Sequence, residues 1–372
     1  MTKEYTALGL MSGTSGDGVD ASIIRSDGEN KYEVILNKYF EYEEKIYQNF
    51  HELRNLINNH TDLHNLLKRV DELEKEITLF HSKVVNNFTQ DNIDLVGFHG
   101  QTIYHNSYEK ISKQLGEGNL LLQLTQKNIV YNFRLNDIKN GGEGAPLAPI
   151  FHKLIATQLK LSLPICILNI GGISNLTIIG GTSHKYNFKS QDIGPGNCLI
   201  DSWVRKNSEY KFDKDGSLAA RGNRNEIIFE TGNELFSNRT IKSKSFDVND
   251  FDVSFARGLS LEDGATTLTD FTAEIITSYL LDILKSESSK YLKILVCGGG
   301  RKNKTLINKI KQKVKKSIII ENIDEYGING DFIESQAFAF LAIRSLLNLP
   351  ISFPETTGCQ KPSTGGEIIK IT

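Results

Sequence analysis

Two glycine-rich turns of one design, about 160 positions apart, each sit between two apolar β-favouring runs. In the first, Tyr5 to Met11 leads into Ser12-Gly-Thr-Ser-Gly-Asp-Gly18 and then Val19 to Ile24; in the second, Ile165 to Leu168 leads into Asn169-Ile-Gly-Gly-Ile-Ser174 and then Asn175 to Ile179. Strand-length runs bracketing a turn of Gly, Ser, Thr, Asn and Asp predict a β-hairpin. Glycine, lacking Cβ, lets backbone approach a ligand, and successive N–H groups in such a turn make a concave anion site. A third run, Ile294 to Cys297, enters Gly298-Gly-Gly-Arg-Lys-Asn303 and an apolar-periodic helix from Leu306 to Val314, the strand, turn and helix start on which a nucleotide can lie. Any one turn alone reads more readily as a plain hairpin. Three of them, each after a strand, favour nucleotide binding, with one phosphate tail held between two cradles.

The rest of the pattern repeats with the hairpins. Tyr32 to Tyr42 extends the first into a meander, a helical stripe runs from Leu63 to Phe88, Asp94 to Phe98 is a short buried strand ending in the polar cluster His99-Gly-Gln-Thr102, and Ile129 to Phe133 is another strand. The second half follows its hairpin with a third strand, a helix from Cys198 to Arg205, a long helix from Ser260 to Lys285, strands at Ile294 to Cys297 and Ser317 to Glu321, and an apolar helix from Glu334 to Leu347. Both halves read as three strands, then helix, strand, helix: an α/β fold of duplicated βββαβα units closing on a nucleotide in an interdomain cleft. Composition turns rich in Gly, Pro and polar residues over Arg134 to Pro149, which places the crossover and a hinge there. The expected domains are 1–134 and 135–372, with a loop-like tail over about 350–372 that packs back on the first domain.

With 372 residues, 39% apolar and 24% charged, the chain has a sizeable core. A net charge of −2 supplies no field for nucleic acid, and the lysines of Lys302 to Lys316 alternate with apolar residues as on a solvated helix face. The first strand starts almost at the N-terminus and no apolar run reaches membrane length, so no signal peptide, no membrane partner and a cytoplasmic location are expected. The four cysteines, 166, 198, 297 and 359, lie far apart and read as reduced. His60 and His64, one helical turn apart, have metal spacing but sit in a polar helix start.

Taken in order, Met11-Ser-Gly-Thr-Ser-Gly-Asp-Gly-Val-Asp20, His99-Gly-Gln-Thr102, Gln114-Leu-Gly-Glu-Gly-Asn119, Phe133-Arg134, Gly141-Gly-Glu-Gly-Ala-Pro146, Asn169-Ile-Gly-Gly-Ile-Ser-Asn-Leu176, Asp192-Ile-Gly-Pro-Gly-Asn197, Cys297-Gly-Gly-Gly300 and Glu334-Ser-Gln-Ala-Phe338 resemble the anhydro-N-acetylmuramic acid kinase family over nearly the whole chain. The resemblance implies a two-domain actin-like ATPase (ribonuclease H-like) fold. It also implies an ATP- and Mg²⁺-dependent kinase of cell-wall recycling that opens 1,6-anhydro-N-acetylmuramic acid to N-acetylmuramic acid 6-phosphate and ADP, and it is compatible with a homodimer. Partners are then small molecules, with no nucleic acid.

Carried over by position, the resemblance makes Asp192 the base that activates water, with capping of the following helix or bracing of its turn as its alternative role, and Glu334 a second catalytic residue or a cap. ATP contacts fall on Gly13, Thr14, Ser15, Gly16, Asp17, Gly18, Val19 and Asp20, on Gly171 and Gly172, and on Gly298, Gly299 and Gly300 for adenosine. His99, Gln101, Thr102 and Arg134 fall to the sugar, Arg134 suiting a carboxylate and His99 keeping a core-packing alternative. No protein ligand for the metal is assigned; Mg²⁺ is expected on phosphates and water. The chain departs from the family at Gly16, where a leucine is usual and a looser turn is expected, at Asn132 and Glu117, and over Lys242 to Asp247. That last change keeps open a kinase for another sugar. A non-catalytic sugar or nucleotide sensor is the remaining alternative, although the DNA-reading module of such repressors has no room before the first hairpin.

Overall fold

The computed structural model describes residues 3–88, 92–180, 186–237, 246–286 and 291–371. Its contacts divide the chain into two compact units, Met1–Leu161 with Asp331–Thr372, and Ser162–Gly330.

Unit 1 opens with β1 (Tyr5–Ser12), β2 (Gly18–Ser26) and β3 (Tyr32–Glu41), and continues through helices α1 (Glu44–Leu56), α2 (His60–Asn65) and α3 (Leu67–Asn86) to β4 (Leu95–Asn106). After β5 (Ile111–Leu115), α4 (Gly118–Thr125) and β6 (Ile129–Tyr131) come α5 (Leu135–Lys139) and α6 (Pro149–Gln158). Unit 2 holds β7 (Ile165–Ile170), β8 (Ile173–Ile179), β9 (Phe188–Pro195), α7 (Cys198–Asn207), α8 (Glu226–Ser237), α9 (Leu261–Ser286), β10 (Leu292–Cys297), α10 (Lys304–Lys313) and β11 (Ile318–Asn322). The chain then returns to unit 1 with α11 (Ile333–Leu346), α12 (Pro354–Thr357) and β12 (Glu367–Ile369).

The two sheets share one topology. In unit 1 the order is β12-β6-β4-β1-β2-β3 with β5 on β4, and in unit 2 it is β11-β10-β7-β8-β9. The path β3-β2-β1-β4-β6 therefore matches β9-β8-β7-β10-β11: an antiparallel meander joined on its first strand to two parallel strands. This is the duplicated ribonuclease H-like strand order that the sequence pattern and the resemblance led one to expect. Both predicted hairpins form, with Leu8 opposite Ile23 and Leu168 opposite Leu176. The period-two alternation sends Leu8, Leu10 and Ile23 into one core with Phe50, Ile77 and Phe98, and sends Cys166, Leu168 and Leu176 into another with Ile276, Leu280 and Ile294. No helix among the described residues is long and apolar enough to cross a membrane.

Several boundaries differ from the sequence expectation. The division falls after Leu161 rather than at Arg134. α6 stays with unit 1 because Gln158 exchanges hydrogen bonds with the Tyr32 backbone, at 3.0 and 2.9 Å, and Phe151 packs on Tyr32 with ring centroids 4.9 Å apart. The Arg134–Pro149 segment is likewise tied within unit 1: Asp137 accepts the Gly144 N–H at 2.7 Å and the Thr357 hydroxyl at 2.6 Å. The second domain also loses its expected end, since α11 lies on β1, β2 and β4 and β12 extends the first sheet beside β6. The tail thus packs on unit 1 by strand addition. The single stripe expected from Leu63 to Phe88 is broken at Leu66, because Asn59 and Asp62 form a capping box that starts the short α2 by itself. His60, on that helix, has its ring nitrogen 3.4 Å from the Glu109 carboxylate.

Candidate active site

The first glycine turn is pinned by its carbonyls. The Gly16 N–H closes it onto the Gly13 carbonyl at 3.1 Å, and the Tyr42 N–H donates to the Asp17 carbonyl at 2.9 Å. Gln101 Nε2 donates to the Gly13 carbonyl at 2.8 Å, and the buried Arg54 guanidinium donates to that of Thr14. Among the described residues, the amides of Thr14 and Ser15 have no protein acceptor. A turn with the Gly13, Thr14 and Asp17 carbonyls tied and two amides open is the arrangement an anion needs.

Gly16 does not loosen this turn. Its φ is +69°, and a Cβ there would stand 2.4 Å from the Phe50 ring, so a fully buried aromatic fills the place of the side chain. Gly16→Leu, which restores the residue usual in the resemblance, is expected to lower stability by about 1–3 kcal/mol through the left-handed backbone alone. Urea titration checks this; a stabilised variant would mean that Phe50 yields the space without cost.

Within the same stretch, Asp17 and Asp20 are half-buried and Ser15 is exposed. Val19 differs from expectation, because its side chain is fully buried in the core of unit 1; only its backbone, paired with Phe40, faces elsewhere. Gly18, the first residue of β2, pairs with Glu41.

The sugar cluster lies inside β4, not beyond its end. β4 runs on past Gly100 and folds back on β5, with Gln101 opposite Leu115 and Asn106 opposite Ile111. His99 is buried, its ring 4.4 Å from that of Phe338. His99 Nδ1 lies 2.8 Å from the Gly100 carbonyl, which can only accept, so Nδ1 carries the hydrogen and Nε2 accepts from Arg134 Nη2 at 2.9 Å. Burial first, and the Arg134 charge second, hold its pKa well below the ordinary imidazole value. Both ring nitrogens are therefore committed, and His99 orients Arg134 rather than offering a polar atom to a sugar. Arg134 Nη1 also donates to the Gly144 carbonyl at 2.7 Å, so the guanidinium is fixed from two sides. Thr102 is half-buried beside Gln114, whose Nε2 lies 3.3 Å from its hydroxyl. Gln101 is fully buried, and its Oε1 has no hydrogen-bond partner among the described residues. It ties this strand to the first turn.

In unit 2 the second turn is built on the start of α7. The Asn197 N–H donates to the Gly171 carbonyl at 2.8 Å, and those of Gly196 and Cys198 donate to the Gly172 carbonyl at 2.9 and 3.1 Å. A Cβ on Gly196 would lie 2.2 Å from the Gly171 carbonyl oxygen, so only glycine permits this approach. The Gly171 N–H is directed at the Ile173 carbonyl, 3.2 Å away. The third turn follows β10: the Gly298 N–H donates to the Gly330 carbonyl at 3.0 Å, Gly299 is exposed and Gly300 buried. Arg301 supports it from below, with Nη1 3.1 Å from the Gly298 carbonyl and Nε 3.0 Å from Asp324.

Asp192 lies inside β9 rather than at a strand end, opposite Asn175 and half-buried. Helix capping is not its role, since Asn197 occupies the N-cap position of α7. Its Oδ2 accepts the Phe246 N–H at 2.7 Å. Phe246 belongs to the Lys242 to Asp247 segment that departs from the family pattern; residues 242–245 of it lie outside the described residues. Glu334 sits in the first turn of α11 in unit 1, half-buried, where a carboxylate is favoured by the helix dipole. Sequence reasoning missed Tyr42 and Arg54, and gave no role to Gly144 or Phe246 within the segments it singled out; all four hold the expected residues through contacts that no local spacing announces.

Comparison with known proteins places these features in one family. Residues 5–370 match the family model described as anhydro-N-acetylmuramic acid kinase. The chain is 54% identical to the anhydro-N-acetylmuramic acid kinase of Pelagibacter ubique over the full length of both proteins. It is 36% identical to that of Brucella canis over 97% of each. A solved structure, the activator of the 2-hydroxyisocaproyl-CoA dehydratase from Clostridium difficile with bound ADPNP, aligns over 92% of this chain and 96% of its own, with 11% identity and a TM-score of 0.43. On the full-length family and sequence matches, the chain belongs to the anhydro-N-acetylmuramic acid kinase family.

Proposed function

We propose that this chain is an ATP-dependent kinase that opens 1,6-anhydro-N-acetylmuramic acid with water and phosphorylates O6, giving N-acetylmuramic acid 6-phosphate and ADP in cytoplasmic cell-wall recycling. The observation that carries this is the family match across residues 5–370. In such a substrate O6 is bonded to C1, so no free 6-hydroxyl exists to deprotonate. Water attacks C1 and gives its proton to the Asp192 carboxylate; the C1–O6 bond breaks, and the freed O6 forms a bond to the γ-phosphorus as ADP leaves. One base therefore starts both bond changes.

The residues around Asp192 support this role. Its Oδ2 is fixed by the Phe246 N–H, which sets the carboxylate's direction. Phosphates are assigned to the open amides of Thr14 and Ser15 with the rest of Gly13 to Asp20, and to Gly171 and Gly172; positioning and charge neutralisation then supply most of the rate. Gly298, Gly299 and Gly300 take the adenosine. Mg²⁺ arrives with ATP as part of the substrate, carried by phosphate oxygens and water. Arg134, held by His99 and Gly144, takes the sugar's carboxylate, with Gln101 and Thr102 beside it on β4 and Glu334 orienting water or metal.

The test is transfer of labelled γ-phosphate to a panel of free and anhydro sugars. The expected result is a labelled 6-phosphate from the anhydro sugar, with one oxygen from solvent water at C1. Phosphorylation of ordinary N-acetylmuramic acid alone, or of an unrelated sugar, would overturn the proposal.

A further inference from the structure

Three buried side chains, far apart in sequence, meet behind the first glycine turn. Ser12 at the end of β1 is 1% exposed, Tyr42 5%, and His81 on α3 0%. Ser12 Oγ lies 2.9 Å from the Tyr42 hydroxyl and 3.1 Å from His81 Nε2. On the far side of the ring, His81 Nδ1 lies 2.8 Å from the Ile77 carbonyl. A carbonyl can only accept, so Nδ1 carries a hydrogen; burial, which pulls the imidazole pKa down to about 4, leaves the ring neutral and Nε2 bare. The single hydrogen of Ser12 must then point at Nε2. That leaves Ser12 Oγ to accept from Tyr42, whose phenol burial keeps protonated.

We propose that Tyr42, Ser12 and His81 form a one-way hydrogen-bond relay that positions the phosphate turn, and that Ser12 is a positioning residue with no hydrogen to give a phosphate. The direction runs from Tyr42 O–H to Ser12, from Ser12 O–H to His81, and from His81 N–H to Ile77. Tyr42 brackets the turn, because its hydroxyl holds Ser12 and its N–H holds the Asp17 carbonyl. Gln101 and Arg54 tie the Gly13 and Thr14 carbonyls between those ends. Every one of these bonds goes to a carbonyl or to Ser12, and none uses the amides of Thr14 or Ser15. The relay rests on the reading of this hairpin as a phosphate site, and its two parts are tested separately.

The tautomer is read on the unmodified protein by long-range proton–nitrogen correlation on histidine-labelled samples, where His81 is expected in the Nδ1–H form. Ser12→Ala and His81→Phe are each expected to raise the KM for ATP by roughly tenfold, the scale of one buried hydrogen bond, while the KM for the sugar stays within roughly twofold. Because the two side chains act as one unit, the double variant should be no worse than the weaker single one. His81→Gln, whose amide oxygen can accept from Ser12, should restore most of the ATP affinity. An Nε2–H tautomer, or additive losses in the double variant, overturns the relay. Thr14 and Ser15 amide signals that ignore added ATP, with the Nδ1–H form intact, overturn instead the phosphate reading and the role given to the relay.

Discussion

Asp192→Asn is expected to lower turnover by at least about 100-fold, the scale of a lost general base, while ATP affinity stays close to that of the unmodified enzyme. Asparagine keeps the shape of the side chain and an oxygen that can accept the Phe246 N–H, now 2.7 Å from Oδ2. It cannot take a proton from water near neutral pH. The backbone position is set by the ladder with β8, which the substitution leaves alone. Binding and folding should therefore persist while the chemical step fails. Isothermal titration with Mg²⁺ and ATP, thermal unfolding and single-turnover transfer separate these quantities. An equal fall in nucleotide affinity, or a lowered unfolding midpoint, would show that Asp192 braces β9 and the Phe246 segment rather than acting as base.

What the sequence made legible was whatever depends on neighbours along the chain. The hairpins at Ser12–Gly18 and Ile170–Ile173 were readable because alternation and turn chemistry act within a few residues, and strand order followed once the repeat was recognised. The second half of β4 was not, because Gln101 to Asn106 is too polar to look like a strand; its pairing with β5 is what makes it one. The domain boundary was misplaced for a related reason. Composition marks the Arg134–Pro149 loop as a linker, yet Asp137 and Thr357, 220 positions apart, tie it into unit 1. Site residues divide in the same way. Motifs named His99 and Arg134, but only the fold shows that His99 spends both nitrogens on Gly100 and Arg134. Tyr42 and His81 belong to no motif, and reach Ser12 across 30 and 69 positions.

The other large effect falls on the fold, where α11 meets the first sheet. Gly9→Val is expected to destabilise the protein by about 3 kcal/mol or more, the upper end of overpacking costs. A Cβ on Gly9 would stand 1.9 Å from the Ser335 carbonyl oxygen and 2.5 Å from the Ala339 nitrogen; on Gly97 of the adjacent strand it would stand 2.4 Å from the Phe338 carbonyl oxygen. These are helix backbone atoms, so no rotamer change relieves the clash and α11 must lift from β1 and β4. Ala339, Leu341, Ala342 and Ile343 are fully buried, and lifting the helix opens their contacts to water or to a void. Activity should fall too on the proposed role of Glu334 in orienting water or metal, because that residue rides on the first turn of α11 and the Ser335 hydroxyl meets that of Ser22 at 2.6 Å. Urea unfolding gives the stability change directly. Because the nearest atoms are backbone, adding Ala339→Gly should not rescue Gly9→Val; a rescue to near the unmodified midpoint would show that the Ala339 methyl, 2.9 Å from the added Cβ, sets the approach instead.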